Sequence, residues 1–415
     1  MQTEEFAPIP IADVNESPID AAVTPMPDES FHANGAALIA AAHGLHDTFS
    51  SFLPALLPVL IEKFSMTNTM AGSLNLFVQL PALAQPLIGY IADKRNLRNA
   101  VVIAPAVTAI CMTFLGISPS IAAMIPLLML AGLSSAALHV LGPVMSGRYS
   151  GSKLGKGMSF WMVGGELGYS LGPLLLVSML GVLTLRWLPV LSLVGILTSV
   201  FMWFRLKDVT TVTDRASLRV DWRSKMGSLT KVLLPASILV VFRSLMHISL
   251  TTFLPVLMTN QGASLWFAGI AFSIVGGAGV VGSIFAGTLS DRFGRKPFLA
   301  MSFTATPVLM LLFLRANEVW LQIVLLALIG FFGLSIMPVL LALVLEAYPK
   351  ERSIVSGIYM MVNFLLMALA SVTIGRLADL NSLQYTFSLS AFVLLIGLPV
   401  LLLLPKEKQA KKNKG

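Results

Sequence analysis

Two copies of one short stretch carry the residues in this chain that are best suited to chemistry. The first runs from His46 to Leu56 (HDTFSSFLPAL) and the second from His247 to Leu257 (HISLTTFLPVL), in a chain of 415 residues. Each copy combines a histidine, several hydroxyl side chains and a proline within a long apolar segment. Because the copies lie close to half a chain length apart, they predict a duplicated protein with a polar site in each half.

The ionisable residues near these copies share helical faces. His43, His46 and Asp47 are three and four positions apart, and Arg243 and His247 are four apart, which are the spacings of neighbours on a helix surface. A histidine titrates near neutral pH, and a buried carboxylate can also exchange a proton. We therefore expect Asp47 with His46 to carry a proton, and Arg243 with His247 to hold an anionic substrate group or a counter-charge.

The sequence alone leaves a structural interpretation of these charges open. An Asp or Arg at the centre of a membrane helix costs about 2.5–3.5 kcal/mol on insertion scales, so such residues are functional by default. The alternative is that Asp47 and Arg243 form an ion pair that fixes the two halves, while the histidines bond nearby hydroxyls or carbonyls. His43 and His139, taken singly, fit substrate binding and a structural role equally well.

The composition places these residues in a membrane. Hydrophobic residues make up 56% of the chain, charged residues 12%, and the mean hydropathy is +0.83, which is far from the globular norm. The only cysteine, Cys111, excludes a disulfide framework and a thiolate metal site. Apolar runs long enough to cross a core of about 30 Å as helices occur at 36–61, 70–92, 99–117, 121–146, 156–181, 187–206, 231–258, 265–289, 297–315, 319–345, 353–377 and 385–404. The sequence thus predicts an all-α membrane protein with twelve transmembrane helices.

The basic residues and the polar segments predict the topology. If both termini are cytoplasmic, all but five of the 28 Lys and Arg residues fall in cytoplasmic segments, as the positive-inside rule requires. A polar linker at 207–230 separates an N-terminal bundle, 35–206, from a C-terminal bundle, 231–405. Residues 1–34 predict a disordered acidic cytoplasmic tail and 406–415 a basic one. Because the net charge of +8 is spread over short loops, nucleic acid is not an expected partner.

Aromatic residues and a glycine-rich segment complete the pattern. Five tryptophans near the ends of spans are interpreted as membrane-interface residues: Trp161, Trp187, Trp203, Trp266 and Trp320. Glu166 stands among small residues that let a neighbouring helix approach closely: Gly164, Gly165, Gly168 and Gly172. The simplest interpretation of Glu166 is a carboxylate on a packing seam, turned to a cavity or a polar partner. It is also counted, with Asp47 and His46, as a candidate for proton coupling.

Matching landmarks in the two halves favour a transporter. Gly89–Lys94 in the first half matches Gly287–Arg292 in the second, and Pro143-Val144 matches Pro338-Val339. Such matches are expected for parallel repeats with a site between them near the midplane. The sequence has no phosphate-binding loop, zinc ligand set or nucleophile elbow. We therefore expect neither an enzyme nor ATP hydrolysis, and no cofactor or metal.

One of these landmarks carries a family resemblance. Gly287 to Lys296 (GTLSDRFGRK) resembles, position for position, the loop motif of the major facilitator superfamily, and the segment from Gly89 is a degenerate copy that lacks the second glycine. The resemblance implies two pseudo-symmetric six-helix bundles, a cavity lined by helices one, four, seven and ten, and charged residues that latch the bundles in one facing state. The gating candidates are Asp93, Lys94, Arg98, Arg148, Asp291, Arg292, Arg295 and Glu346.

A narrower resemblance suggests a function. Phe160 to Leu174 (FWMVGGELGYSLGPL), together with His43 to Asp47 (HGLHD), is similar to the fosmidomycin-resistance branch of that superfamily. This implies a monomeric, proton-coupled antiporter in the inner (plasma) membrane that exports a small polar or anionic compound by alternating access, with drug resistance as the outcome. The substrate-binding candidates are His43, His139, Arg243 and His247. An uptake carrier for a small metabolite, and a non-transporting sensor or assembly protein, remain as alternatives.

Overall fold

Twelve helical spans account for nearly all of the structure. The computed structural model describes residues 30–92, 94–151, 153–207, 209–211, 222–348 and 352–404, and these residues contain no strand. The spans, labelled α1 to α12 in chain order, are Ala33–Phe64, Asn68–Ala92, Arg98–Ile117, Ile121–Ser150, Lys156–Val182, Leu185–Arg205, Thr230–Asn260, Leu265–Phe293, Arg295–Phe313, Val319–Ala347, Gly357–Leu380 and Leu383–Leu401. They confirm the prediction of twelve transmembrane helices, with ends that differ from the predicted ones by at most four residues.

Some predicted segments lie wholly or partly outside the described residues. These are the acidic tail up to residue 29, the linker residues 208 and 212–221, the basic tail with residue 405, and Asp93. The end of the predicted linker is helical, because the helix that contains α7 begins at Trp222. The predicted tail likewise ends before α1 begins at Ala33.

The helices form the two pseudo-symmetric bundles that the sequence predicted. In the first bundle α1 packs on α5, α2 on α4 and α3 on α6. The same pairings recur six helices later, where α7 packs on α11, α8 on α10 and α9 on α12. Equivalent helices therefore occupy equivalent places in the two halves, as a duplicated chain requires.

Both copies of the repeated stretch interrupt their helix. A proline has no backbone N–H, so Pro54 and Pro255 each leave the carbonyl one turn back without its helical partner. In α1 the regular helix ends at Ser50 and resumes at Phe52. In α7 the segment Ser249–Phe253 is a π-helical turn. The polar residues just before these points thus lie beside irregular backbone in both bundles.

Hydroxyl side chains of the repeat form hydrogen bonds to the backbone of these irregular helices. Thr48 Oγ1 donates to the carbonyl of Gly44 at 2.8 Å, and Thr251 Oγ1 donates to the carbonyl of His247 at 2.8 Å. Such bonds to the preceding turn are a common way for hydroxyls to be satisfied inside a membrane helix, and they bend it slightly. The donor hydrogen of each of these two hydroxyls is therefore already used within its own helix.

The two bundles meet most closely toward one side of the membrane span. Ser371 Oγ on α11 donates to the carbonyl of Gly72 on α2 at 2.9 Å, and the rings of Tyr169 on α5 and Phe272 on α8 lie 5.6 Å apart. These contacts lie from mid-span toward the side away from the chain ends. Toward the chain ends, the last part of α2, Gln85–Ala92, packs mainly on α4 of its own bundle, and Tyr90 there is 58% exposed. The two bundles are therefore less closely packed against each other toward the chain ends.

Candidate functional site

A glycine seam between α1 and α5 builds the polar site of the first bundle. A Cβ atom on Gly164 would overlap the carbonyl of Ala40, and one on Gly168 would overlap the carbonyl of Gly44. Only hydrogen at these positions lets the two backbones approach so closely. A Cβ on Gly165 would overlap the ring of His43. The glycines thus place α5 directly against the face of α1 that carries the ionisable residues.

His43 is held by Trp161 of α5. Its ring stacks on the Trp161 ring with centroids 3.6 Å apart and planes inclined by 11°. Its Nδ1 lies 2.9 Å from the Trp161 carbonyl, which can only accept a hydrogen bond, so Nδ1 carries a proton. Trp161 is only 3% exposed, so its interpretation as a membrane-interface residue was wrong. The remaining nitrogen, Nε2, faces Asp47 Oδ2 at 3.1 Å.

His139 on α4 joins the same cluster. Its Nδ1 lies 2.9 Å from the carbonyl of Ser135 and therefore also carries a proton. Its Nε2 lies 3.3 Å from Nε2 of His43 and 3.9 Å from Oδ2 of Asp47. About one third of the His139 side chain is exposed, whereas His43 and Asp47 are buried. The cluster is therefore reached through the side of α4.

Counting hydrogen-bond donors shows that this cluster is one proton short. With each Nδ1–H donated to a carbonyl, the neutral rings of His43 and His139 present bare Nε2 atoms, and an ionised Asp47 presents only acceptors. Three acceptor atoms would then face one another at 3.1–3.9 Å with no hydrogen between them. One added proton turns the shortest of these contacts into a charge-assisted hydrogen bond. A proton added to this cluster would therefore be stabilised between His43 and Asp47.

The same three atoms lie within 4.8 Å of one another, a spacing at which side chains can also hold a metal ion. The sequence predicted no metal ligands, because His139 is distant from His43 and Asp47 along the chain. A single proton on Nε2 of His43 would satisfy the contact with Asp47 and would leave Nε2 of His139 as an acceptor.

The other two candidates for proton coupling flank Asp47 differently. His46 is fully buried, and its Nε2 lies 3.9 Å from Asp47 Oδ1. Glu166 is exposed, and it interacts electrostatically with Asp47 and His43 of its own bundle and with Arg243 of the other. Glu166 is therefore within electrostatic range of both polar clusters.

The second bundle holds a buried arginine without a carboxylate. Arg243 on α7 is 4% exposed, and its Nη1 donates to Oδ1 of Asn363 on α11 at 3.2 Å. Its Nη2 donates to Nδ1 of His247 at 3.3 Å, which places the neutral imidazole proton on Nε2. The Arg243 Nε and the hydroxyl of the neighbouring Tyr359 have no hydrogen-bond partner. Within the described residues, no ion pair neutralises this guanidinium.

The structure separates the two charges that the simpler interpretation paired. Asp47 has histidine neighbours at 3.1–3.9 Å in its own bundle, and Arg243 is not among its ion-pair partners. The two residues therefore belong to different polar clusters on opposite sides of the space between the bundles. The static ion pair between halves is absent in this state.

The gating candidates have their observed partners within their own bundles. Arg98 donates to the carbonyls of Trp203, at 2.6 Å, and Leu206, so it caps the end of α6. Arg295 pairs with Asp291 and, at 2.9 Å, with Glu346. Lys94 and Arg292 lie over neighbouring aromatic rings, and Arg148 lies in the last turn of α4. The proposed latch between bundles remains a prediction for another conformational state.

Two residues of the polar cluster around Arg243 were not identified from the sequence. Tyr359 and Asn363 on α11 were not singled out, because an isolated tyrosine or asparagine in an apolar span carries no local signal. A four-residue spacing of Tyr359 and Asn363, which places both on one helical face, is the only clue that the sequence offered.

Comparison with known proteins gives this architecture a family context. The profile of the Major Facilitator Superfamily matches residues 39–287 and 236–415. The fosmidomycin resistance protein of Escherichia coli K12 is 27% identical over 390 residues, which cover 91% of this chain and 94% of that protein. The multidrug resistance protein MdtG of Escherichia fergusonii is 33% identical over 169 residues, or 38% of this chain and 40% of that protein.

Solved structures share the fold at low sequence identity. The nucleoside transporter NupG superposes with a TM-score of 0.70 at 16% identity, covering 90% of this chain and 100% of that one. A D-xylose–proton symporter gives a TM-score of 0.72 at 15% identity, covering 91% and 99%. A bacterial homologue of the human lysosomal transporter Spinster, in an inward-facing and occupied conformation, gives 0.69 at 12% identity, covering 90% and 95%.

Proposed function

Because the chain belongs to the Major Facilitator Superfamily, a family of transporters rather than enzymes, we propose that it exports a small anionic compound in exchange for protons. One observation carries the proposal. The first bundle holds a buried cluster that is one proton short, while the second holds a buried arginine without a carboxylate. An uncompensated charge inside a membrane protein calls for a partner.

The relatives support the direction and class of substrate. Two of them, one matched over nearly its full length, carry drug-resistance names, and fosmidomycin gives one of these its name. By this analogy the substrate is a polar anion, the membrane is the inner (plasma) membrane, and both termini lie in the cytoplasm, where the basic residues concentrate. The protein works as a monomer, because each bundle contributes one half of a single site.

The proposed cycle alternates access to that site. In the conformation described, the bundles are less closely packed toward the chain ends, so the cluster around Asp47 releases its proton on that side and the anion enters there against Arg243. Rocking of the bundles then exposes the site to the other side, where the anion leaves and a proton returns. Glu166, within electrostatic range of both clusters, responds to the charge of each.

Proton flux in proteoliposomes tests this proposal. The purified protein is reconstituted with a pH gradient, and fosmidomycin, simple phosphonates and other organic anions are added in turn. We expect substrate-dependent dissipation of the gradient in the wild type and its loss in Asp47→Asn. Glu62→Gln is the matched control, because Glu62 is an exposed acid at the far end of the same helix. A folded wild type that moves no protons with any compound would contradict the proposal.

A further inference from the structure

The polar atoms left over in the second bundle are all able to donate. Asn363 uses its Oδ1 to accept from Arg243, and its amide N–H groups have only the sulfur of Met367, at 3.7 Å, as a partner. Nε of Arg243 and the hydroxyl of Tyr359 are buried and have no partner. His247 carries its remaining proton on Nε2, since its Nδ1 accepts from the arginine. Four groups on α7 and α11 thus offer N–H or O–H bonds around one positive charge.

The first bundle is the chemical opposite. His43 and His139 each donate a hydrogen bond from Nδ1–H to a carbonyl, which leaves their Nε2 atoms as acceptors. Asp47 and Glu166 add carboxylate oxygens, and Glu166 is exposed to the shared space within electrostatic range of Arg243. One side of the space is therefore rich in acceptors and the other rich in donors.

We propose that the site selects compounds with two different ends: an oxyanion that binds Arg243, Asn363 and Tyr359, and a hydrogen-bond donor, such as an ammonium or a hydroxyl, that binds the acceptors of the first bundle. The inference rests on the proposed function and makes its substrate class narrower than a simple anion. A compound with only an oxyanion leaves the buried acceptors unmatched, and sites built for a hydrogen bond discriminate strongly against ligands that lack it. Tyr359 and Asn363 become specificity-determining residues for the oxyanion end.

This arrangement also explains exchange. A proton that enters the cluster from the far side occupies the same acceptor atoms that hold the donor end of the substrate. The two therefore compete, and the substrate is displaced when the cluster is protonated. In a carrier that bound only the anionic end of the substrate, the proton and the substrate would not compete, because a proton on the cluster would attract the anion.

A matched pair of probes tests the proposal by binding alone. Isothermal titration of the detergent-solubilised protein compares 3-aminopropylphosphonate with propylphosphonate, which share the oxyanion and differ only in the donor. We expect the amino compound to bind at least about tenfold more tightly to the wild type. Glu166→Gln should reduce this ratio. Tyr359→Phe should weaken the binding of both compounds by a similar factor, whereas Tyr385→Phe, at an exposed position on α12, should change neither.

The outcomes separate this inference from the proposed function. Equal affinities of the two phosphonates for the wild type, failure of the amino compound to bind, or a ratio that Glu166→Gln leaves intact would each overturn the two-ended site. Unchanged binding in Tyr359→Phe would overturn its oxyanion end. Tight binding of the amino compound without any proton flux would contradict the transport proposal alone. Equal proton flux with both phosphonates would contradict only the inference.

Discussion

Replacement of Asp379 by alanine should shift the protein toward the state in which the bundles part at their closed side. The Asp379 carboxylate, near the end of α11, accepts the backbone N–H groups of Asn68 and Thr69 at 2.7 and 2.8 Å. It also accepts hydrogen bonds from Thr69 Oγ1 at 2.5 Å and from Asn68 Nδ2 at 3.0 Å. These two residues begin α2, so an acid of one bundle caps a helix of the other.

The size of the effect follows from the four bonds and their exposure. A side chain that caps a helix N-terminus contributes about 0.5–2 kcal/mol, and a negative charge at that end about 0.3–1 kcal/mol at the surface. Because Asp379 is exposed, water and salt screen the charge, and we take about 1–2 kcal/mol for the whole contact. All of it is lost when the bundles separate at this side, so removing it should change the ratio of the two states by about 5- to 30-fold.

Spin-label distances measure that ratio directly. The only cysteine, Cys111, is buried, so a Cys111→Ala background accepts new labels cleanly. Labels at Thr184→Cys and Gln261→Cys, both exposed on the closed side and on different bundles, report the separation there. In pulsed electron paramagnetic resonance, Asp379→Ala should enlarge the long-distance population relative to the parent.

A matched variant makes the test decisive. Glu318→Ala removes another exposed carboxylate from the same side of the second bundle, one that makes no capping hydrogen bond to its own helix. It should leave the distance distribution unchanged. If Asp379→Ala is folded and its distribution equals that of Glu318→Ala, the contact does not bias the conformational equilibrium, and the argument from capping is wrong.

Two further predictions concern the glycine seam. Gly165→Ala should abolish substrate-dependent proton flux while the protein still folds, because the new methyl group displaces the His43 ring. Gly277→Ala is the control, since its Cβ would meet nothing within 4 Å. Full flux in Gly165→Ala would refute the role given to His43. Gly168→Ala should destabilise the protein by about 1–3 kcal/mol or more, because its methyl group overlaps the Gly44 carbonyl. Thermal unfolding in detergent measures this loss, and an unchanged melting temperature would show that the seam is looser than described.

Much of the fold could be predicted from the sequence because the bilayer constrains each membrane-spanning segment locally. Each span has to satisfy its own backbone hydrogen bonds and be apolar over about 20 residues, so hydropathy alone located all twelve helices. The parallel repeat was visible for a similar reason, since both halves keep the His-to-Pro stretch that interrupts α1 and α7. The ends of helices were less accurate, because apolar composition changes gradually at the interface.

The candidate site was only partly predictable. The face of α1 with His43, His46 and Asp47 followed from spacing within one helix, and the structure keeps these residues together. The interpretation of Trp161 as an interface residue was wrong, because its position near the start of a span did not reveal that α5 turns it onto His43.

The sequence by itself determined which residues are ionisable within apolar spans, where the helices run, and that two equivalent halves exist. These properties depend on local composition and on helical periodicity. The tertiary structure decided which of those residues meet: it brought His139 to Asp47, kept Arg243 apart from Asp47, and placed Asn363 and Tyr359 beside the arginine. Such pairings depend on how distant helices pack, and packing depends on side-chain shape across the whole bundle, which no local pattern encodes.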